Sequence, residues 1–127
     1  MLSDVRLIEV EIHSMCNRKC DWCPNAEINR QHYETMSSLT YLDLLQDLKA
    51  NNFKGTISYS RYNEPFLNIE LLKRRTNFAK EILGDNIKLV TNTNGDLLNE
   101  DCLDELAIDE LSIMDYDCRG MTWCINK

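Results

Sequence analysis

The sequence contains no long hydrophobic segment. Hydrophobic residues make up 43% of its 127 positions, yet no apolar run approaches the roughly 18 residues that a membrane-spanning helix needs. The amino-terminal stretch MLSDVRLIEVEIHS places acidic side chains at Asp4, Glu9 and Glu11 and lacks the apolar core of a signal peptide. From these absences we expect a cytoplasmic protein with no membrane partner.

Basic residues are also few. The chain has 14 Lys and Arg residues against 21 Asp and Glu residues, which gives a formal net charge of −7. Nucleic acids and anionic membranes attract basic surfaces, so this acidic balance predicts no nucleic-acid partner. The acidic residues are spread along the chain, which indicates a solvated surface rather than one acidic site.

Proline and glycine, which mark linkers and boundaries, number only two and four. We therefore treat residues 1–127 as one domain. Strand patterns and helix patterns alternate along it. The strand patterns cover residues 5–12, 55–62, 86–92 and 109–115, and the helix patterns cover residues 37–52, 68–84 and 99–107. Such alternation is typical of parallel βα units and predicts an α/β fold with about four of them.

The helical segments carry the end signals that helices need. The expected N-cap side chains are Ser37 or Ser38 for the first helix, Asn68 for the second and Asn99 for the third. Gly84 stands at the predicted end of the second helix. In the first helix, leucines at helical spacing predict the buried face. These leucines are Leu39, Leu42, Leu45 and Leu48.

Three of the six cysteines fall within eight residues, directly after the first strand. Cytoplasmic cysteines are more often thiols or metal ligands than disulfides, so Cys16, Cys20 and Cys23 point to a metal centre. Three thiolates can bind three irons of a [4Fe–4S] cluster and leave the fourth iron open to a small molecule. His13 supplies an alternative, because H-x₂-C-x₃-C-x₂-C contains four zinc ligands in one loop.

The loop sequence CNRKCDWC resembles the C-x₃-C-x₂-C motif of the radical S-adenosylmethionine (radical SAM) superfamily. Trp22 matches the aromatic residue that this family places before the last cysteine. The sequence YNEP at residues 62–65 resembles the family's GGEP segment, which receives the amino group of SAM, although both glycines are replaced. The sequence TNTNG at residues 91–95 resembles the family's TNG at the end of the third strand.

The resemblance covers nearly the whole chain and implies a partial (β/α) barrel of the radical SAM type, with the cluster loop at residues 13–36. It implies that Cys16, Cys20 and Cys23 bind a [4Fe–4S] cluster whose open iron binds SAM. We place SAM near five further residues, four of them in the matching motifs and one at the end of the fourth strand. These are Trp22, Asn63, Glu64, Asn94 and Asp115.

The resemblance also implies a reaction. In this family an electron from the reduced cluster cleaves SAM, and the resulting 5′-deoxyadenosyl radical abstracts hydrogen from a substrate. The cofactors carry this chemistry and the protein positions them. The implied substrate is a peptide, a protein or a small metabolite, and the implied partner is an electron donor such as flavodoxin or ferredoxin.

The predicted strands are too few for a complete barrel. A full (β/α)₈ barrel takes about 250 residues. We therefore expect the amino-terminal portion of a radical SAM core, lacking the carboxyl-terminal half, with its fourth strand left as an open edge. A truncated copy and a form completed by a second chain both agree with this pattern, and a self-sufficient minimal enzyme agrees with it least. The alternative function is a non-catalytic module or remnant that binds zinc or an iron–sulfur cluster.

Three other cysteines lie outside the loop. Cys102 is expected to be a small buried residue on the third helix, since free cysteine behaves as a hydrophobic side chain. Cys118 and Cys124 lie near the end of the chain, where together they suggest a second metal site completed by a partner's ligands.

Overall fold

The protein is built on a twisted layer of short strands with helices packed against it. The computed structural model describes residues 2, 4–28, 32–117 and 124–126. The described residues form one five-stranded sheet in the order β1-β2-β3-β4-β5. The strands are β1 (Leu7–Glu9), β2 (Thr56–Ser58), β3 (Lys88–Thr93), β4 (Glu110–Ile113) and β5 (Cys124–Asn126).

The first four strands are all parallel to their neighbours, as the alternating pattern predicts. Parallel strands need a crossover connection, which is usually helical. Helix α1 (Ser38–Ala50) connects β1 to β2, and α2 (Ile69–Leu83) connects β2 to β3. A six-residue 3-10 helix, Glu100–Glu105, connects β3 to β4. The α/β fold with four parallel strands is therefore confirmed.

The predicted capping residues begin and end the two α-helices. The hydroxyl oxygen of Ser37 accepts a hydrogen bond of 3.0 Å from the amide of Thr40, and the side chain of Asn68 accepts one of the same length from the amide of Leu71. Gly84 ends α2 with a φ angle of 78°, a conformation that favours glycine. Local sequence therefore sets where these helices begin and end.

The third predicted helix is present, but as a 3-10 helix rather than an α-helix. Asn99 caps it as expected, accepting a hydrogen bond of 3.0 Å from the amide of Asp101. Cys102 is half-buried against the core, and its thiol donates to the carbonyl oxygen of Asn99. The expected role of Cys102 as a small packing residue is therefore confirmed.

The hydrophobic core lies between the sheet and the two helices. On α1 the buried positions are Tyr41, Leu45 and Leu48, which recur at the i, i+4, i+7 spacing of one helix face. The prediction that Leu39 belongs to this face was wrong. The buried face runs through Tyr41, and the Leu39 side chain is 67% exposed. The sheet and α2 contribute Ile57, Leu72, Ala79, Leu89 and Leu111.

The fourth strand is not an open edge, which corrects the sequence-based expectation. β5 pairs with β4 in antiparallel fashion, with Leu111 opposite Ile125 and Ser112 opposite Cys124. The unpaired backbone groups of an edge strand favour such pairing, and here the chain turns back to supply it. Cys118 lies outside the described residues, and the structure describes no side chain for Cys124, so the suggested second metal site remains a prediction.

The helices of the described residues are short and amphipathic. None of them is long and apolar enough to cross a membrane. The carboxyl ends of β1 to β4 all point to one edge of the sheet, because parallel strands share a direction. The loops that follow these strands therefore meet at that edge.

Candidate functional site

A pocket opens at the carboxyl ends of the parallel strands. Its wall is formed by the cysteine loop after β1, by residues 60–64 after β2, by residues 92–94 at the end of β3, and by Met114 and Tyr116 after β4. Ligands of open parallel sheets bind outside the carboxyl ends of the strands. The three motifs found in the sequence therefore lie in one place, although they are far apart along the chain.

The thiols of Cys16, Cys20 and Cys23 are half-buried and line this pocket together. A tight turn shapes the loop, in which the amide of Cys23 donates a hydrogen bond of 2.9 Å to the carbonyl oxygen of Cys20. The amide of Arg18 lies 3.5 Å from the sulfur of Cys16 and donates to it. Burial raises the pKa of the Cys16 thiol, and the negative charges of Glu64 and of the other two cysteines raise it further.

The three thiols line one pocket, as the ligands of a polynuclear cluster would. Among the described residues, no three His, Cys, Asp or Glu side chains converge as ligands of one ion would. A [4Fe–4S] cluster instead bonds each thiolate to a different iron, so its ligands surround a larger group. Three half-buried thiols around one pocket meet that requirement.

His13 does not complete a zinc site with the cysteines. Its buried ring stacks on Tyr33 at a centroid distance of 5.5 Å, and its Nδ1 atom accepts a hydrogen bond from the amide of Met15. The ring lines a different cavity, together with Glu11 and Thr35. The structure therefore separates the fourth residue of the zinc alternative from the other three.

Glu64 joins the ends of β2 and β3 inside the pocket. Its side chain is only 3% exposed, and it accepts hydrogen bonds from the hydroxyl of Thr93 and from the amides of Phe66 and Asn94. Burial raises the pKa of its carboxyl group, while these three hydrogen bonds act in the opposite direction. Glu64 thus brings a buried carboxylate to the pocket wall.

Asn63 and Asn94 also lie in the pocket wall and are buried. The side chain of Asn63 accepts a hydrogen bond from the amide of Arg61, which shapes the turn after β2. The side-chain nitrogen of Asn94 donates a hydrogen bond of 2.8 Å to Asn17 in the cysteine loop. Both asparagines therefore hold the pocket's backbone in place as well as lining it.

Trp22 and an aromatic residue that the sequence did not single out form the rim of the pocket. The ring of Trp22 is 65% exposed and lies 5.5 Å from the ring of Tyr116, tilted by 47°. Burial raises the pKa of Tyr116, and so do the negative charges of the three cysteines that line the same pocket. The rim thus offers two aromatic faces beside the thiols.

Asp115 is not part of the pocket wall, unlike its two neighbours Met114 and Tyr116. The chain turns tightly here, because the amide of Tyr116 donates a hydrogen bond of 3.0 Å to the carbonyl oxygen of Met114, and Asp115 lies between these two residues. Tyr116 lies in this turn after β4, where no periodic pattern in the sequence could have identified it. Arg18 and Tyr62 were also missed, although both lie inside recognised motifs, and so were Ser60 and Arg61, which directly precede YNEP.

Comparison with known proteins assigns the class. The radical SAM superfamily profile matches residues 10–113, and the chain belongs to that superfamily. It is 36% identical over 96 residues to the S-adenosyl-L-methionine-dependent 2-deoxy-scyllo-inosamine dehydrogenase of Niallia circulans. That match covers 74% of this chain and 37% of the dehydrogenase.

Two solved structures share the fold. BtrN in complex with AdoMet and 2-DOIA matches with a TM-score of 0.76 and 33% identity, over 84% of this chain and 44% of BtrN. SeMet BtrN in an open conformation matches with a TM-score of 0.74 and 31% identity, over 90% of this chain and 51% of BtrN. The chain therefore spans about half the length of these relatives, or less. Membership of the family implies a [4Fe–4S] cluster and SAM, and BtrN has been solved with AdoMet bound.

Proposed function

We propose that this chain binds a [4Fe–4S] cluster through Cys16, Cys20 and Cys23, binds SAM in the same pocket, and takes part in oxidising a small polar metabolite. The observation that supports this most directly is the meeting of three half-buried thiols with the ends of β2 and β3 in one pocket. When bound, the cluster and SAM supply one-electron chemistry that abstracts hydrogen from a substrate. The chain's own residues bind, orient and shield these groups.

The pocket supplies cluster ligands and leaves room beside them. Its described wall contains three cysteines, so the three thiolates would hold three irons and leave one for SAM. Ligation requires the thiolate form, so cluster binding would release protons from the thiols. Without metal, burial and the nearby negative charges disfavour the thiolate form of Cys16. A positively charged iron centre would favour the thiolate instead.

The remaining residues of the wall suit the parts of SAM. The buried carboxylate of Glu64 provides a negative field for the methionine ammonium group, with Asn63 and Asn94 beside it. Trp22 and Tyr116 provide apolar faces that would cover the adenosine and keep out water. Asp115, expected from the sequence to lie near SAM, would reach it only with a change at the end of β4.

A small metabolite is favoured over a peptide or protein substrate. The supporting observation is the 36% identity to a dehydrogenase named for its action on 2-deoxy-scyllo-inosamine, an amino-substituted ring. We further propose that residues 1–127 act as the amino-terminal part of a radical SAM core, with the cluster loop at 13–36. An electron donor such as flavodoxin or ferredoxin would reduce the cluster, and either further residues of the same polypeptide or a second chain would complete the barrel.

A second candidate is a non-catalytic module that holds an iron–sulfur cluster without radical chemistry. It is favoured by the replacement of both glycines of the family's GGEP segment, by Tyr62 and Asn63, in the pocket wall. The two functions share the cluster and differ in whether SAM reaches it.

Anaerobic reconstitution with iron and sulfide, followed by EPR of the reduced protein with and without SAM, tests both. The proposed function predicts a [4Fe–4S]⁺ signal that changes when SAM is added. Cys20→Ser should abolish cluster formation, whereas Cys102→Ser, away from the pocket on the 3-10 helix, should not. A cluster that ignores SAM would support the non-catalytic module, and a chain that forms no cluster contradicts both candidates.

A further inference from the structure

Arg18 lies between two of the cysteines and reaches across to the ends of two strands. Its guanidinium group donates to both carboxylate oxygens of Asp96, each at 2.6 Å, in a bidentate pair. The same group lies 2.7 Å from the carboxylate of Asp117. Asp96 follows β3 and Asp117 follows β4, so a single side chain connects the cysteine loop to two βα units.

Asn17 makes a second connection beside the first. Its side-chain nitrogen donates a hydrogen bond of 3.0 Å to Asp96, and its side-chain oxygen accepts one of 2.8 Å from Asn94. Together, Asn17, Arg18, Asp96 and Asp117 are called the loop clamp below. Asn94 extends the loop clamp to Glu64, because the amide of Asn94 donates to the Glu64 carboxylate.

The backbone after β3 is shaped to present Asp96 to the loop. Gly95 has a φ angle of 81°, which side-chain-bearing residues rarely adopt, so the chain turns sharply there. The amide of Asp96 donates a hydrogen bond of 3.0 Å to the side-chain oxygen of Asn94, which holds the turn. The motif TNTNGD thus forms the turn that presents Asp96 to the cysteine loop, and this role does not require contact with SAM.

The two arms of the loop clamp differ in strength. The side chains of Arg18 and Asp96 are 17% and 25% exposed, whereas that of Asp117 is 50% exposed. Bidentate charge-assisted pairs are among the stronger hydrogen bonds, while exposed single ion pairs contribute little. The Asp96 arm is therefore the one that holds the loop.

We propose that Arg18 is a positioning residue for the cluster: its pair with Asp96, supported by Asn17 and Asn94, fixes residues 16–20 against the end of β3. The proposal rests on the proposed function, since it concerns the ligands of that cluster. Cys16 and Cys20 flank Arg18, so fixing its side chain fixes the backbone from which both thiols project. A loop held in this way presents its thiols before iron arrives, which lowers the ordering cost of binding. Asn94 contributes to this positioning indirectly, through the hydrogen bond that it donates to Asn17.

Hydrogen exchange of the cluster-free protein, read by mass spectrometry, tests the positioning directly. Arg18→Gln and Asp96→Asn should speed exchange of the loop amides by about tenfold, and Asp117→Asn by much less. Lys19→Gln is the matched control, because it removes the same charge from an exposed neighbour in the same loop and should leave exchange unchanged. Exchange in α2 should be the same in all five proteins.

A second measurement uses the reconstituted protein and records loss of the cluster to an iron chelator. Arg18→Gln should lose its cluster about tenfold faster than the unsubstituted chain, in line with other residues that orient metal ligands. Arg18→Lys keeps the charge but cannot form the bidentate pair, so its rate should be intermediate. The EPR spectrum of Arg18→Lys should resemble that of the unsubstituted chain. The spectrum of Arg18→Gln should differ from it more.

Specific results would overturn the proposal. Loop exchange in Arg18→Gln equal to that of the unsubstituted chain would do so, and so would equal acceleration by Lys19→Gln. Faster exchange throughout α2 would show a general loss of stability rather than positioning. If the unsubstituted chain binds a cluster and these results occur, the positioning proposal alone fails. If it binds no cluster, the proposed function fails and the positioning proposal with it.

Discussion

The hydroxyl group of Thr93 donates a hydrogen bond of 2.7 Å to the carboxylate of Glu64, which joins the ends of β2 and β3 inside the pocket. Both oxygens of Glu64 are used, because the amides of Phe66 and Asn94 also donate to them. A carboxylate is well suited to this place, since it accepts hydrogen bonds and donates none.

Replacing Glu64 by Gln should therefore destabilise the protein. The amide group of Gln would turn a donor toward a donor, leaving a buried polar group without a partner at a cost of about 1–3 kcal/mol in the free energy of unfolding. Urea unfolding measures this change. Glu70→Gln, at an exposed position in the first turn of α2, is the control and should shift the free energy by less than about 0.5 kcal/mol. Equal effects would show that the Glu64 bonds contribute no special stability.

Two buried tyrosines should make stability fall at high pH. The hydroxyls of Tyr41 and Tyr59 lie 2.7 Å apart, and burial raises the pKa of Tyr41 to about 12 and raises that of Tyr59 well above its ordinary value. Because the folded-state pKa exceeds the unfolded value of about 10, their contribution is fully present below pH 10 and is lost as the pH rises toward about 12.

Denaturant unfolding across this alkaline range, together with tyrosinate absorbance, measures the loss. In Tyr59→Phe the hydrogen bond is gone and one buried phenol is removed, so the decline with pH should be shallower than in the unsubstituted chain. An identical decline would assign the loss of stability to groups other than these two tyrosines.

Truncation of Leu45 should test the buried face of α1. Leu45 is fully buried, and Leu45→Ala should lower the free energy of unfolding by about 2–5 kcal/mol through lost burial and the cavity left behind. Leu39→Ala, on the same helix, should cost less than about 0.5 kcal/mol because its side chain faces solvent. A large effect at Leu39 would mean that another surface covers it.

Trp22 should contribute to SAM binding by the reconstituted protein. Its ring lines the pocket next to Cys23 and is largely exposed, so a bound adenosine could cover it. Trp22→Ala should raise the Kd for SAM by about tenfold, the loss expected when one aromatic contact is removed. The measurement is a SAM titration followed by EPR, with Leu39→Ala as a control outside the pocket. An unchanged Kd would place the adenosine elsewhere.

The sequence predicted local features well, because those features have local causes. The N-caps Ser37 and Asn68, the glycine at the end of α2 and the alternating strands all depend on residues close together in the chain. The cysteine loop was recognised because its three ligands lie within eight residues.

Features that depend on distant residues could not be predicted in this way. The antiparallel pairing of β5 with β4 brings together two segments that no local periodicity links. The Arg18–Asp96 pair spans 78 positions, and a single charged residue in a polar loop gives no sign of its partner. The choice of Leu39 over Tyr41 as a core residue came from following leucines alone and overlooking the aromatic residue at the right spacing.

The separation of Arg18 from its partners bears on how the protein is made in the cell. Asp96 leaves the ribosome 78 residues after Arg18, so the Arg18–Asp96 pair cannot form while the first half of the chain is being synthesised. We therefore expect iron and sulfide to be delivered after translation has passed β4, to a chain that has already folded. Metal delivered earlier would meet thiols that the Arg18–Asp96 pair does not yet hold in position, and would bind without forming the cluster.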